Sequence, residues 1–384
     1  MRQLGICFKL LRSKNNRSFM EQKFMTNYDA ILSKLDTINP VKYAHSRNYI
    51  NGHVNYLSPY ISRGVISTKQ VLASLLSKGH SFDELESLMQ QLCWRDYFQR
   101  IAQVKDINQE IKQIQENVEH QAIPLSIMEA KTGIQAIDQS IESLFETGYM
   151  HNHSRLYLAT LTCNIGKSYW LHPAKWMYYH LLDGDWASNA CSWQWVAGAN
   201  SSKKYFANQE NINKYTASEQ QNTYLDTSYD VLPEMEIPGS LTATQKFNFE
   251  LTLPETSHIQ FIPDQPTFIY NYYNLDPLWH KDELGNRILL IEPEFFQNYP
   301  VSKKCMDFML DLSKNIPGIQ IYVGSFQSFS TEYKETSIYY KEHPLNIGYF
   351  GVQEERDWIT ADVVGYYPSF FAYWKKVRKH LKFA

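Results

Sequence analysis

Two stretches decide the fold of this chain: GYMHNHSRLYLATLTCNIGKSYW (residues 148–170) and, ten residues later, LLDGDWASNACSWQW (residues 181–195). The first carries an Asn and an Arg three residues apart on a predicted helix, and the second carries an Asp-Gly-Asp turn followed by an Asn. These polar residues are Asn152, Arg155, Asp183, Asp185 and Asn189. Such groups among tryptophans are typical of a site for a large, flat, polar-edged cofactor that exchanges electrons.

Composition excludes several classes of protein. The 384 residues are enough for one large core or two moderate ones. A net charge of −3 gives no overall basic field, so DNA binding would need a local patch. The five scattered cysteines form no CxxC, which predicts a reducing, cytoplasmic location and no metal site. No segment reaches the ~18 apolar residues of a membrane span, so no membrane partner is predicted.

The chain first reads as a leader and then as a helical domain. Residues 1–24 are predicted to be disordered or a short leader, because the apolar core after the basic start is too short for a signal peptide. Residues 25–215 are predicted to be helical, with helices over 67–78, 83–104, 150–165 and from Pro173 to Leu182. Thr132 and Gln135 read as a capping box that opens another helix, which Gly148 closes.

Character changes beyond residue 215. Residues 216–265 are polar and rich in proline, which predicts a linker. Strands are predicted over 267–273, 287–293, 319–325 and 345–351, and helices over 301–314 and 368–382. The pattern predicts a small α/β domain over residues 266–384 with a partly parallel sheet. The predicted fold class is therefore α+β and multi-domain, with a large all-α domain followed by a smaller α/β domain.

Short motifs along residues 43–215 resemble, one after another, the cofactor-binding core of the cryptochrome/DNA photolyase family. They are Tyr56-Leu57-Ser58-Pro59-Tyr60, Trp94-Arg95-Asp96-Tyr97-Phe98, Thr132-Gly133 with Asp138, Met150-His151-Asn152 with Arg155, and Asp183-Gly184-Asp185 with Asn189 and Trp193-Gln194-Trp195. The resemblance implies a photolyase-type helical domain that holds FAD in a folded conformation. The implied FAD-binding residues are Tyr43, Leu57, Ser58, Gln91, Arg95, Asn152, Arg155, Asp183, Asp185 and Asn189.

The resemblance also implies roles for these side chains. Arg155 and Asp183 would form an ion pair against the flavin ring, where a fixed cation stabilises a reduced anionic flavin. Asn189 would face the flavin N5 atom, and its neutral amide can donate or accept a hydrogen bond there. Asp185 would accept hydrogen bonds from the ring edge or ribose. The implied catalytic residues are Gln91, Trp94, Asn189, Trp193, Trp170 and Trp195.

Four tryptophans have implied functions of two kinds. Trp193 and Trp170 match the inner two members of the family's electron relay, and Tyr169 or Trp176 is a candidate for the missing third. Trp195 and Trp94 resemble the walls of the cavity that receives a flipped-out base pair. The alternative for Trp170 and Trp176 is that they are ordinary core aromatics.

Some positions depart from the family pattern. Gln91 stands where repair enzymes carry a Glu, which keeps a hydrogen bond and removes the acid. His153 replaces a basic residue, and Ala207 stands where an Arg is usual. The family's N-terminal antenna domain is expected to be absent, because the flavin motifs start almost at once. The α/β segment follows those motifs instead, which suggests a permuted arrangement.

Three functional interpretations follow. The first is a light-dependent FAD flavoprotein like DNA photolyase, in which excited reduced FAD transfers an electron to a flipped pyrimidine dimer, with damaged DNA as partner. The second is a cryptochrome-like blue-light photoreceptor without repair activity, with a signalling partner at the C-terminal domain. The third is a flavin-binding scaffold that has lost both roles. Asn189, Trp94 and Trp195 favour repair, whereas Gln91, His153 and Ala207 favour the photoreceptor.

Overall fold

The computed structural model describes residues 24–334 and 336–381. The predicted leader lies outside the described residues except for Phe24, which is buried. Among the described helices, none combines the length and the apolarity that a membrane crossing requires.

Helices are the main regular structure among the described residues before residue 245. They are α1 (Tyr28–Asp36), α2 (Pro40–Ser46), α3 (Ser58–Ser62), α4 (Thr68–Ser77), α5 (Phe82–Ala102), α6 (Leu125–Met128), α7 (Gln135–Thr147), α8 (Asn152–Thr160), α9 (Leu171–His180), α10 (Trp186–Val196), α11 (Gln209–Thr216) and α12 (Gly239–Thr242). A π-helix, Leu161–Ile165, continues α8, and a 3₁₀ helix covers Leu232–Glu234. Two short strands, β1 (Ile123–Pro124) and β2 (Thr244–Gln245), pair antiparallel.

Strands and helices alternate after residue 266. The strands are β3 (Thr267–Tyr270), β4 (Asn286–Ile291), β5 (Ile319–Val323), β6 (Ile338–Lys341) and β7 (Val352–Glu354). The helices are α13 (Pro293–Asn298), α14 (Lys303–Ser313), α15 (Phe326–Glu332) and α16 (Phe370–His380). The predicted α+β fold class is confirmed.

The described residues form two compact units whose segments alternate along the chain. The helical unit comprises residues 24–25, 45–56 and 106–248, and the mixed unit comprises residues 26–44, 57–105 and 249–381. The mixed unit contains the sheet together with α4 and α5. Residues 216–248 of the segment predicted as a linker belong to the helical unit, where the Tyr224 hydroxyl donates to the Thr132 carbonyl. The domain boundaries predicted at residues 25, 216 and 266 stay a prediction.

Capping explains where α4 and α5 begin. Ser67 and Ser81 each accept a hydrogen bond from the third residue of the following helix, whose side chain bonds back to the serine backbone. Gly79 has a φ of +78° directly after α4, a conformation that glycine adopts at low cost. The predicted bounds of both helices are confirmed to within a residue or two.

The capping box predicted at Thr132 is wrong. Ile134 is the N-cap of α7 and makes no side-chain capping bond. The Asp138 carboxylate instead accepts from the Thr132 backbone and hydroxyl and from the Gly133 amide, at 2.8, 2.7 and 3.2 Å. A carboxylate within α7 therefore organises the turn before it, a role that the hydroxyl alone does not fill.

The mixed unit is built around a five-stranded sheet of order β5-β4-β3-β6-β7. Every neighbouring pair is parallel, so the sheet is wholly rather than partly parallel. Strand β3 is buried along its whole length, as expected for an inner strand of a sheet covered on both faces. One face packs on α15 through a cluster that includes Ile288, Leu290, Phe326 and Phe329.

The strand predicted over residues 345–351 is wrong. This segment is a loop between β6 and β7, and the prediction missed β6 itself. Gly348 and Gly351 have positive φ, and a Cβ on Gly351 would lie 2.4 Å from the Ile338 carbonyl oxygen. The run therefore turns where a strand would extend. Strand β6 alternates buried and half-buried residues over only four positions, a weak signal in sequence.

Candidate functional site

An ion pair between Arg155 and Asp183 is the centre of the candidate site in the helical unit. Arg155 Nη2 donates to both carboxylate oxygens of Asp183, at 2.9 and 2.8 Å, and Nε donates to the Met150 carbonyl at 2.8 Å. The side chains are 22% and 5% exposed, so water screens the pair weakly. The bonds at Nε and Nη2 fix the guanidinium plane.

The turn at residues 183–185 positions two carboxylates at the start of α10. A Cβ on Gly184 would lie 3.0 Å from the Leu181 carbonyl oxygen and 3.1 Å from that of Tyr178. The close approach of backbone therefore favours glycine between the two aspartates. Asp185 is the N-cap of α10 and accepts from the Ser188 amide at 2.7 Å.

Asn189 lies one turn into α10 and is buried. Its Nδ2 donates to the Ala174 carbonyl in α9 at 2.8 Å, which orients the amide. Four predicted residues of the helical unit thus lie on two connected segments. Arg155 of α8 pairs with Asp183, and Asp185 and Asn189 follow Asp183 at the start of α10.

Residues 151–153 present a different environment. Asn152 is the first residue of α8 and is exposed, one turn before Arg155. His153 is half-buried, and burial together with the nearby Arg47 cation lowers its pKa to about 4. The ring is therefore neutral at pH 7. Ala207 is buried.

The tryptophans of the second stretch differ in exposure. Trp170 and Trp193 are buried, as is Trp176, whereas Trp195 is 37% exposed. Tyr169 is half-buried, and its ring centroid lies 6.0 Å from that of Trp170. Burial and the hydrogen bond with Glu110 raise the pKa of Tyr169 to about 12.

Gln194, between two of these tryptophans, has a structural role that the sequence analysis missed. Its Nε2 donates to the Ile107 and Gln109 carbonyls at 3.1 and 3.0 Å, and its Oε1 accepts from the Ile111 amide at 2.9 Å. The side chain is fully buried. The signal available in the sequence was a glutamine between two tryptophans, whose side chain carries both a donor and an acceptor.

The remaining predicted residues lie in the mixed unit. Leu57 is the buried N-cap residue of α3, and Ser58 begins that helix. Arg95 Nη1 donates to the Ser62 hydroxyl at 3.0 Å, which ties α5 to α3. Tyr43, in α2, and Gln91, in α5, are half-buried.

Trp94 lies in an aromatic cluster of the mixed unit. Its ring stacks on Phe370 of α16, with centroids 4.0 Å apart and planes at 9°. Tyr97 and Phe98 contact the same ring from α5. The contact of Phe370 with Trp94 could not be expected from the sequence, because 276 residues separate the two and no local pattern pairs them.

The donor set fits FAD. A guanidinium fixed at two nitrogens, two buried carboxylates and an oriented buried amide are groups that recognise the polar edge of a flat ring and a ribose. Arg155, Asp183, Asp185 and Asn189 of the helical unit would hold it, with Asn152 beside them. The predicted contributions of Tyr43, Leu57, Ser58, Gln91 and Arg95 stay a prediction.

Comparison with known proteins points to the same cofactor. Residues 88–245 match the family model described as the FAD binding domain of DNA photolyase. The chain is 28% identical over 151 residues to the deoxyribodipyrimidine photo-lyase of Vibrio cholerae, covering 37% of this chain and 32% of the relative. It is 30% identical over 155 residues to that of Buchnera aphidicola, covering 37% and 31%.

Among solved structures, the match to a cryptochrome of Synechocystis covers 49% of this chain and 43% of the cryptochrome chain. The sequence identity is 22% and the TM-score is 0.42. The chain spans about a third of the length of the curated relatives it matches. The matched residues contain the Asp-Gly-Asp turn, the ion pair and the oriented Asn189 amide. Residues 88–245 are therefore similar to the FAD binding domain of DNA photolyase, and the cofactor of this domain is FAD.

Proposed function

We propose that this chain is a light-dependent flavoprotein of the photolyase type, whose substrate is a pyrimidine dimer flipped out of DNA. The observation that carries the proposal is the buried Arg155–Asp183 pair, adjoined by Asp185 and the oriented Asn189 amide. FAD, when bound, supplies the absorption of blue light and the electron that splits the dimer. The side chains of the protein hold the flavin and the substrate in position and provide fixed charges beside the flavin.

Arg155 supplies a cation whose location does not change during the reaction. The bonds to Asp183 and to the Met150 carbonyl hold the guanidinium before any charge develops. A preorganised cation in a poorly solvated site stabilises negative charge without reorganisation. Asn189 adds a neutral amide that accepts or donates a hydrogen bond, so it tolerates a change of protonation beside it.

Trp195 of the helical unit is 37% exposed and would offer an aromatic face to an extruded base. By resemblance, Trp94 and Gln91 of the mixed unit have roles towards the substrate. Gln91 would hydrogen-bond the dimer, and its amide cannot act as a proton donor in the way a carboxylic acid does. The chain is therefore proposed to bind and split dimers with a weaker acid contribution than repair enzymes that carry Glu at this position.

A cryptochrome-like photoreceptor without repair activity is the second candidate. The stack of Phe370 on Trp94 favours it, because one face of a proposed substrate platform is covered by the chain's own side chain. In that case the C-terminal residues would carry a signalling partner. The cytoplasmic location stays part of both proposals, supported by the free buried thiols of Cys93, Cys163 and Cys191.

A light-dependent repair assay tests the proposal. Reduced, FAD-loaded protein would be mixed with UV-irradiated oligothymidylate and illuminated at blue wavelengths, with a dark sample as control. The expected result is loss of dimers in the light alone. Dimers that persist while the flavin still photoreduces would exclude repair and favour the photoreceptor.

A further inference from the structure

Three aromatic side chains of the helical unit, Phe24, Tyr56 and Tyr149, form a cluster that is here called the aromatic clamp. The centroid of the Tyr149 ring lies 5.7 Å from that of Phe24 and 5.2 Å from that of Tyr56. The Phe24 and Tyr56 centroids are 6.1 Å apart. Phe24 is buried and the two tyrosines are half-buried. Each ring therefore lies within contact range of the other two.

The aromatic clamp adjoins the Arg155 cation of the candidate site. The guanidinium carbon of Arg155 lies 5.6 Å from the centroid of the Tyr149 ring, which is within the range of a cation–π interaction. The Met150 carbonyl and the Asp183 carboxylate already hold Nε and Nη2 of the same group. Tyr149 therefore adds a third contact, at a side chain that is only 22% exposed.

The backbone that carries the Tyr149 ring is fixed on both sides of the ion pair. Gly148 ends α7 with a φ of +70°, and its carbonyl accepts from the Leu182 amide at 2.8 Å. The Tyr149 amide donates to the Thr147 hydroxyl at 3.1 Å. The residue before Tyr149 is thus bonded to the residue before Asp183, so the ring and the carboxylate both extend from anchored backbone.

Tyr56 holds its ring in the clamp at a cost in backbone strain. Its φ of +52° lies in the left-handed region, which costs an L-residue with a large side chain about 1–2 kcal/mol. Strain of this kind persists only where the surrounding contacts require it, and it is concentrated at functional sites. A tyrosine at this position therefore points to a role for its ring, and that ring contacts Tyr149.

We propose that the aromatic clamp positions the Arg155 cation for the flavin, with Tyr149 as the positioning residue and Tyr56 and Phe24 as its supports. The clamp orders the guanidinium before FAD binds, so that binding does not have to order it. A preorganised cation stabilises negative charge, so the clamp favours reduced over oxidised flavin. This inference rests on the proposed function, because it takes Arg155 as the cation beside the flavin.

Tyr149→Leu and Tyr149→Phe separate the ring from the rest of the side chain. The dissociation constants of reduced and oxidised FAD would be measured on FAD-free protein by anaerobic equilibrium dialysis. We expect Tyr149→Leu to raise the constant for reduced FAD about three- to tenfold, and that for oxidised FAD less than about twofold. Tyr149→Phe keeps the ring and should match the wild type.

Tyr215→Leu is the control for a loss of aromatic packing elsewhere in the helical unit. Tyr215 is half-buried, and its ring contacts Tyr49 and His153 with centroids 5.1 and 4.9 Å away. A purely structural loss weakens the binding of both flavin forms by the same factor, and this is the most that Tyr215→Leu should do. An equal loss of both affinities in Tyr149→Leu would exclude the positioning role.

A measurement on the FAD-free protein tests the same role without the cofactor. Proton–nitrogen NMR of arginine-labelled protein follows exchange of the Arg155 Nε proton, a signal identified by its absence from Arg155→Gln. Exchange should be about three- to tenfold faster in Tyr149→Leu, because the guanidinium has lost one of its contacts. Exchange at the wild-type rate in folded Tyr149→Leu would show that the ring does not hold Arg155.

Tyr56→Asn is a second variant, which remains informative if Tyr149→Leu does not fold. Asparagine adopts the left-handed conformation at lower cost, and this relief offsets the lost ring contacts. The variant should therefore unfold at about the same urea concentration as the wild type and bind reduced FAD more weakly. Unchanged affinity for reduced FAD would contradict the role of Tyr56 as a support.

The positioning role and the repair function fail in distinguishable ways. Wild-type protein that splits dimers, together with a Tyr149→Leu protein that binds reduced FAD as tightly, removes the clamp and leaves repair standing. A selective loss of affinity for reduced FAD in Tyr149→Leu, with wild-type protein that splits no dimers, removes repair and leaves the clamp.

Discussion

Arg155 and Asp183, 28 residues apart in sequence, are joined by two hydrogen bonds of 2.9 and 2.8 Å from one guanidinium nitrogen to both carboxylate oxygens. The carboxylate is almost fully buried, and the cation is about one fifth exposed. Removal of either partner would leave a buried charge unpaired. The pair is therefore a fixed part of the helical unit before any cofactor is considered.

Arg155→Gln should destabilise the protein by about 3 kcal/mol, because it leaves the Asp183 carboxylate buried without its cation. The free energy of unfolding, measured with urea by circular dichroism, gives this value. Lys131→Gln is the matched control, since Lys131 pairs with Glu129 at the surface and the change should cost under about 1 kcal/mol. An Arg155→Gln protein as stable as the wild type would contradict the buried pair.

Gln194→Ala should also destabilise, by about 2–4 kcal/mol, because two carbonyls and one amide of residues 107–111 lose their partner. Gln139→Ala on the exposed face of α7 is the control and should change stability little. Urea unfolding again measures both. Equal unfolding free energies of the two variants would mean that water replaces the hydrogen bonds of the Gln194 side chain with no loss of stability.

Asp96 should make stability depend on pH. Burial raises its pKa from 3.8 to about 6, against the hydrogen bonds from Ile359 and Thr68 and the nearby Arg356 and Arg95 cations. The folded state then binds a proton more tightly than the unfolded state between pH 4 and 6. Its contribution to stability is greatest below pH 4 and falls as pH rises, by about 3 kcal/mol at most.

Asp96→Asn isolates this effect, because every other group titrates alike in both proteins. The difference in unfolding free energy, wild type minus variant, should fall between pH 4 and 6 and stay level above pH 7. A difference that does not change with pH would show that the carboxyl titrates normally.

His153 should remain neutral through the physiological range. Its folded pKa of about 4 lies below the usual 6.5, so this group contributes stability that is complete above pH 6.5 and is lost as pH falls towards 4. Proton–nitrogen NMR of histidine-labelled protein should contain one ring that titrates near pH 4, and the signal should vanish in His153→Gln. If His153→Gln instead removes the signal of a ring that titrates near pH 6.5, the lowered pKa of His153 would be contradicted.

Trp170→Phe separates the relay interpretation from the core-aromatic one. If Trp170 carries an electron to the flavin site, the change should strongly slow photoreduction by blue light with added thiol. Trp186→Phe is the control, since Trp186 is equally buried, lies in α10 and has no implied relay role. Transient absorption after a laser flash measures both rates. Equal slowing by the two changes would leave Trp170 as packing.

Much of the fold could be predicted because the signals are local. Ser67 and Gly79 mark the two ends of α4, and the Asp-Gly-Asp turn marks the start of α10. The loop over residues 345–351 was predicted wrongly because its aromatic and β-branched residues match a strand. The chain turns instead at Gly348 and Gly351, which have positive φ, and Gly351 lies close against the Ile338 carbonyl of β6.

The candidate site was predicted only in part, for a physical reason. Arg155 and Asp183 carry a family motif, so their pairing was expected and the structure contains it. The stack of Phe370 on Trp94 depends on where α16 packs, which no sequence pattern around either residue encodes. A role that arises from a contact between residues distant in sequence can be recognised only in the three-dimensional structure.

The most direct test of the central claim is the FAD content of the purified wild-type protein compared with Arg155→Gln. The wild type should carry stoichiometric FAD, with flavin absorption that blue light and thiol bleach, and Arg155→Gln should lose most of it while remaining folded. Folded wild-type protein that is colourless and takes up no added FAD would contradict the account.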